Sequence, residues 1–324
     1  MLFLAAFTLN LDYYKKKTTD LLYNVPVSGV TGWSINYKNI GEVSNHGFEM
    51  TLGVDILKRT DWDWNISANL ALNRNEIKKL YGDKPEIIIE NAQSGIIGPA
   101  NKILKPGYDI DSWYTTEWAG VDPENGDPLW YMTDENGNRV KTNDYAKASA
   151  NPVICGSSNP DFYGGFSTSL RWKNLDLSAN FAYSVGGKVY NYMRMEFDSD
   201  GAYTDRNQMR LKDGWSRWQK KGDIATHPKA VYGNTSNSNS TSSRYLEDAS
   251  YLRLRNLTIG YTFPIKKVFS NLRIYMAGEN LFVLSGFSGI DPEVPPMNNG
   301  AATGVAGAVY PQTRKFVFGL NVSF

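Results

Sequence analysis

The sequence predicts an all-β fold: an antiparallel transmembrane β-barrel, present in part, as about 8–10 strands with long extracellular loops. Three observations carry that reading. Segments with a strict period of two recur along the chain, each with one apolar and one polar edge. The longest clean apolar run, "MLFLAAF", is far short of the roughly 20 residues that a spanning helix needs. The connections between the periodic segments sort into short and long. In a strand, successive side chains point to opposite faces, so such a stripe faces either a buried core or lipid.

The elements follow in order. "MLFLAAFTLN" runs straight into the alternating "LDYYKK" and reads as a strand, not as a signal peptide, because it has no basic leader and no cleavage site. "GFEMTLGVDIL" sets Phe48, Met50, Leu52, Val54 and Ile56 against Glu49, Thr51, Gly53 and Asp55. "DWDWNISANLALN" sets Trp62, Trp64, Ile66, Ala68, Leu70 and Leu72 against Asp63, Asn65, Ser67 and Asn69. "GFSTSLRW" and "LDLSANFAYSV" are separated only by Lys173 and Asn174, the signature of a tight hairpin. "NLTIGYTFP", "LRIYMAGEN" and the final "RKFVFGLNVSF" repeat the pattern. Each is about as long as the 9–11 residues that cross a bilayer at a tilt.

Between them, 58–61, 173–174 and 264–271 are short, whereas 15–46, 186–249 and 285–313 are long and rich in Gly, Asn, Ser and Pro. A barrel with short periplasmic turns and long outer loops requires the stretch from 74 to 161 to hold zero or two further strands. It offers a hairpin over 111–134, "DSWYTTEWAG" and "DPLWYMTD", which would either span or lie in a loop. A soluble β-sandwich is the competing architecture, but structureless loops beyond about 12–15 residues are uncommon in compact domains. The one amphipathic stretch, "RNQMRLKDGWSRWQ", lies in a long polar insertion, and helices do not alternate with strands as a parallel α/β fold would need.

Composition narrows the function. The net charge of +1 implies no pull toward nucleic acid. A single cysteine, Cys155, and two histidines, His46 and His227, cannot build a disulfide or a His/Cys metal site. No nucleophile elbow, paired-carboxylate motif or phosphate-binding loop is present, so an enzyme is not expected and no cofactor is implied. "DPENGD" carries Asp122, Glu124 and Asp127 but fails calcium-loop spacing, and its Asn125-Gly126 reads as a turn.

"NIGEVSNHGFEMTLGVDILKRTDWDWNISANLALNRNEIKKL" resembles the paired strands of the SusC/RagA family of TonB-dependent outer-membrane transporters. "SNPDFYGGFSTSLRWKNLDLSANFAYSVGGKVYN", "SRYLEDASYLRLRNLTIGYTFP", "LRIYMAGENLFVLSGFSGIDPEV" and "YPQTRKFVFGLNVSF" match that family's next segments in order. Ala249 departs from the glycine usual there. The resemblance implies that residues 1–324 are the C-terminal part of a larger barrel, with plug domain and signal peptide absent from them. It implies residence in the cell outer membrane and import of oligosaccharides or peptides. The partners would be lipid, a SusD-like surface lipoprotein, TonB acting through the plug, and the barrel-assembly machinery. The stripe Phe316, Phe318, Leu320, Val322 and Phe324 resembles the signal that this machinery reads. The loop aromatics Trp113, Trp118, Trp130, Tyr131, Trp215 and Trp218 are candidate ligand contacts, because flat apolar faces stack on sugars or peptides; packing within the loops is the alternative. A self-standing small outer-membrane barrel, structural or adhesive in role, is the competing function, although its interior would have to be filled by side chains.

Overall fold

A computed structural model describes residues 6–20, 22–26, 35–39, 41–81, 84–89, 100–265, 270–293, 304–307 and 310–323. Eight long strands form one sheet: β1 (Ala6–Thr18), β2 (Glu42–Lys58), β3 (Trp62–Lys79), β4 (Phe162–Trp172), β5 (Leu175–Val185), β6 (Tyr251–Phe263), β7 (Asn271–Ser285) and β8 (Lys315–Ser323). Each pairs antiparallel with its sequence neighbour, giving the order β1-β2-β3-β4-β5-β6-β7-β8. Among the described residues β1 and β8 do not pair with each other, so the sheet is an open barrel wall. The hairpin over 111–134 lies outside this sheet, which settles the strand number at the lower of the two expected values. No helix among the described residues is long and apolar enough to cross a membrane.

The register places the apolar stripes side by side. One row runs Leu177, Ile259, Met276, Phe318 across β5 to β8. Another runs Phe7, Val54, Ile66, Thr168 across β1 to β4. Next to that second row, on the opposite face, lie Thr8, Gly53, Ser67 and Ser167. Among the described residues nothing covers the apolar face: Phe7 is 72% and Phe318 77% exposed. A sandwich would bury that face under a second sheet, whereas lipid would cover it here. One detail differs from the alternation read in the sequence. A bulge between Asp55 and Leu57 hands the stripe from Val54 to Leu57, so Ile56 drops out of it.

The two ends of the sheet differ. All three short turns, after β2, β4 and β6, fall at one end. There Trp62 stacks on Trp172 at 5.4 Å, and Tyr261 meets Phe263 edge-on, an aromatic band at a membrane boundary. The connections after β1, β3, β5 and β7 fall at the opposite end and contain every other strand and helix among the described residues. β2 and β3 reach 17 and 18 residues, longer than a bilayer requires, because their ladder continues into that end.

Two polar-face tyrosines lie across glycines of the neighbouring strand. Tyr14 on β1 covers Gly47, and Tyr275 on β7 covers Gly319; a Cβ at either glycine would sit inside the ring. Hydrogen bonds cross the same face between Asn65 and Asp55 at 2.9 Å and between Ser67 and Ser167 at 3.1 Å. Arg273 donates to Asp176 at 2.9 Å. This polar ladder is what a wetted lumen wall needs.

Candidate functional site: the structured mouth

The largest cluster of buried residues lies outside the long sheet. Ala100, Trp113, Tyr190, Met195, Tyr245 and Val305 pack together at the long-connection end. Four small sheets frame that end. Trp118–Val121, Pro128–Thr133 and Arg139–Thr142 make one, and Ile87–Ile89, Asn101–Leu104, Ser112–Thr115 and Val153–Ser157 make another. Lys188–Asn191, Leu246–Asp248 and Val305–Ala306 make the third, and Leu22–Pro26 with Ile35–Asn39 the fourth. The 206–219 stretch with amphipathic spacing is not helical.

A charged clamp ties these pieces together. The short helix Tyr192–Phe197, capped by Asn191, turns Arg194 inward and delivers Asp198 at its end. The Asp198 carboxylate takes Arg194 at 3.0 Å and His227 Nε2 at 2.8 Å, with Arg244 at 3.6 Å. Asp200, fully buried, takes Arg217 and Arg244 at 2.5 Å each, and accepts the Ser238 hydroxyl at 2.6 Å. Arg194 also reaches Glu247 at 2.9 Å. Three guanidiniums thus meet three carboxylates from segments that lie about 50 residues apart in sequence. Burial alone would raise the Asp198 pKa, but the His227 hydrogen bond and the Arg244 and Arg194 charges outweigh it and hold the carboxyl below its usual range. A depressed carboxylate adds stability that is present above its unfolded pKa and lost as pH falls through its folded value. Acid therefore loosens the clamp only below about pH 4.

Lys102 is the other buried charge. Its Nζ lies 3.8 Å over the Trp113 ring and donates to Ser158 Oγ at 2.6 Å and to the Asp111 carbonyl at 2.9 Å. Burial pushes its ammonium down to about 8, against the opposing pull of Asp111 and Asp109. An unfolded lysine titrates near about 10.4, so between these values the unfolded chain holds more protons and stability rises with pH. The mouth is expected to resist urea better near pH 10 than near pH 8, by on the order of 2 kcal/mol. Lys102→Met should flatten that dependence, and Trp113 fluorescence during the titration checks it.

The six aromatic candidates do not converge. Trp113 and Trp130 are fully buried, which leaves no ring face open to a ligand. Trp113 donates to the Lys188 carbonyl at 2.8 Å, and Trp130 meets Trp118 and Tyr145 edge-on. Trp118, Tyr131, Trp215 and Trp218 are partly exposed. Arg139 stacks on Tyr131 at 3.4 Å and Arg194 on Trp215 at 4.4 Å. Trp218 donates to the Pro123 carbonyl at 3.1 Å and covers Gly126, whose positive φ of 76° forms the "DPENGD" turn. The stripe Phe316, Phe318, Leu320 and Val322 lies on the uncovered face of the edge strand β8, while Phe324 lies outside the described residues. The sequence reading missed the clamp. Its only sequence signal was the presence of Asp and Arg in an insertion otherwise rich in Ser and Asn.

An uncovered apolar stripe, a polar inner wall and one elaborated end define a wall segment of an outer-membrane-type β-barrel. No family model matches the chain. It is similar to TonB-dependent receptor P3 of Formosa agariphila, 31% identical over 98% of this chain and 32% of that receptor. It is likewise similar to TonB-dependent receptor SusC of Bacteroides thetaiotaomicron, 29% identical over 98% of this chain and 30% of SusC. Among solved structures it matches the RagAB peptide importer in its closed-closed state, with a TM-score of 0.78 and 30% identity, over 98% of this chain and 33% of that one. The resemblance to SusC/RagA-type TonB-dependent receptors is thus borne out over nearly the whole chain, in sequence and in fold. The chain spans about a third of the length of the curated relatives it matches.

Proposed function

We propose that these residues form the C-terminal part of the barrel, with its outer mouth, of a TonB-dependent importer in the cell outer membrane. The importer takes up oligosaccharides or peptides with a SusD-like surface lipoprotein, and TonB drives it through a plug supplied from outside residues 1–324. The observation that carries this reading is the apolar face continuous across eight strands, with all long connections gathered at one end. The open edges of β1 and β8 favour a larger barrel over a self-standing small one, because backbone groups in lipid must be paired. The stripe Phe316, Phe318, Leu320, Val322 and Phe324 serves recognition by the barrel-assembly machinery. Trp118, Tyr131, Trp215 and Trp218 are the surface-loop ligand contacts, and the chain itself performs no chemistry. Deleting the encoding gene should abolish growth on one nutrient class, oligosaccharide or peptide, supplied as sole carbon source and leave growth on simple sugars intact. Unchanged growth on both classes would overturn the proposal.

A further inference from the structure

The apolar stripe of β1 ends in Leu11 and Tyr13, and the next residue on that face is Lys15. The register carries the same change across the neighbouring strands. Tyr13, Phe48 and Leu72 form the last row of the stripe, and Lys15, His46 and Arg74 form the row outside it. From Trp62 to Leu72 the rise along β3 is about 33 Å, or about 25 Å of depth at a tilt near 40°, the height of the apolar band of such a barrel. The basic row therefore stands at headgroup depth, at the long-connection end. On β4 to β7 this face ends in apolar pairs instead, Phe162 with Val185 and Leu252 with Leu284, so the charge is local to β1–β3.

We propose that Lys15, His46 and Arg74 bind the phosphate of an outer-leaflet lipid, whose acyl chains lie along Leu11 and Met50. The inference takes only the outer-membrane orientation from the importer reading and is independent of the solute. The charge balance points to an anion. Arg74 holds Asp161 at 2.8 Å, Lys17 holds Glu42 at 2.7 Å and Lys78 holds Glu76 at 2.6 Å, so the carboxylates that flank the row are already taken. Lys15 is exposed, and among the described residues no carboxylate pairs with it. His46 beside it makes no side-chain hydrogen bond among the described residues, and a neutral imidazole keeps one N–H to donate in either tautomer. Cross-strand neighbours stand about 5 Å apart at Cβ, close enough for their donors to share one tetrahedral oxyanion. The Arg74–Asp161 pair is half exposed, where an ion pair is worth little, so the guanidinium can turn to the phosphate at small cost. Position favours a lipid over a free ion. Leu11 and Met50, cross-strand partners two residues inward, lie on the uncovered face, and Leu11 is 54% exposed. They give acyl chains an apolar bed that an inorganic anion cannot use.

The test is titration of the full chain in neutral detergent micelles with diphosphorylated lipid A and, separately, with the same lipid stripped of its phosphates. The phosphorylated lipid is expected to bind about fivefold tighter or more. Lys15→Gln should lower that affinity about fivefold, the weight of one basic side chain at a charged membrane surface. Lys16→Gln is the control. It removes the same charge one residue away, but from the polar face, where Lys16 pairs with Asn45, and should leave binding unchanged. Millimolar inorganic phosphate should not displace the lipid. Equal losses from the two substitutions, no preference for the phosphorylated lipid, or displacement by inorganic phosphate would each overturn the inference. The importer reading is tested separately, through the growth experiment, and survives all three of those results.

Discussion

Leu257→Arg is expected to cost about 2–4 kcal/mol of barrel stability, while Thr258→Arg, one residue on, costs close to nothing. Leu257 sits in the middle of β6 on the uncovered face, between Ala179 and Gly278, which are too small to shield it. A guanidinium there would lie in hydrocarbon near the midplane, where snorkelling to either surface is longest. Thr258 lies at the same depth on the polar face, between Ser178 and Ala277, where an arginine side chain stays hydrated. Urea unfolding in phospholipid vesicles measures the pair. Equal costs for the two variants would mean that the stripe is not in lipid, and the membrane reading would fall with it.

Asp200→Ala is expected to cost about 3–5 kcal/mol, confined to the mouth. The carboxylate is fully buried, and removing it leaves Arg217 and Arg244 sharing only the more distant Asp198, at 3.7 and 3.6 Å. Limited proteolysis of membrane-embedded protein reads the outcome. Cuts should appear in 199–245 while the eight strands stay protected. Asp200→Asn keeps one of the two acceptor oxygens and the side chain's volume, and should be cut more slowly than Asp200→Ala. Equal resistance of Asp200→Ala and the unsubstituted chain would show that the clamp is dispensable.

The wall was legible in the sequence and the mouth was not, for a physical reason. A strand half in lipid and half in water must alternate along its whole length, so the runs from Phe48, Trp62 and Phe316 declare their faces without help. The mouth strands are two to six residues long and are held from several sides at once, so no period develops. The 111–134 stretch alternates well enough to suggest a spanning hairpin, yet Trp113 and Trp130 pack into a core instead. Aromatics in a loop signal only that a large apolar body needs cover. Which neighbour provides it, Lys188 for Trp113 or Tyr145 for Trp130, depends on contacts across tens of residues. The clamp is hidden for the same reason, since Arg244 meets Asp200 from 44 positions away.

The tyrosines that lie across Gly47 and Gly319 bear on how the wall is proofread as it assembles. A strand that slips by two positions still turns its oily side outward, so greasiness cannot detect the error. Shape can. Moved by two, Tyr275 would face Val317 or Asn321 in place of Gly319, and the side chain there would leave the ring no bed. Bare backbone at those two points works as a keyhole, one near each margin of the sheet, that admits a single alignment and rejects its even-numbered impostors.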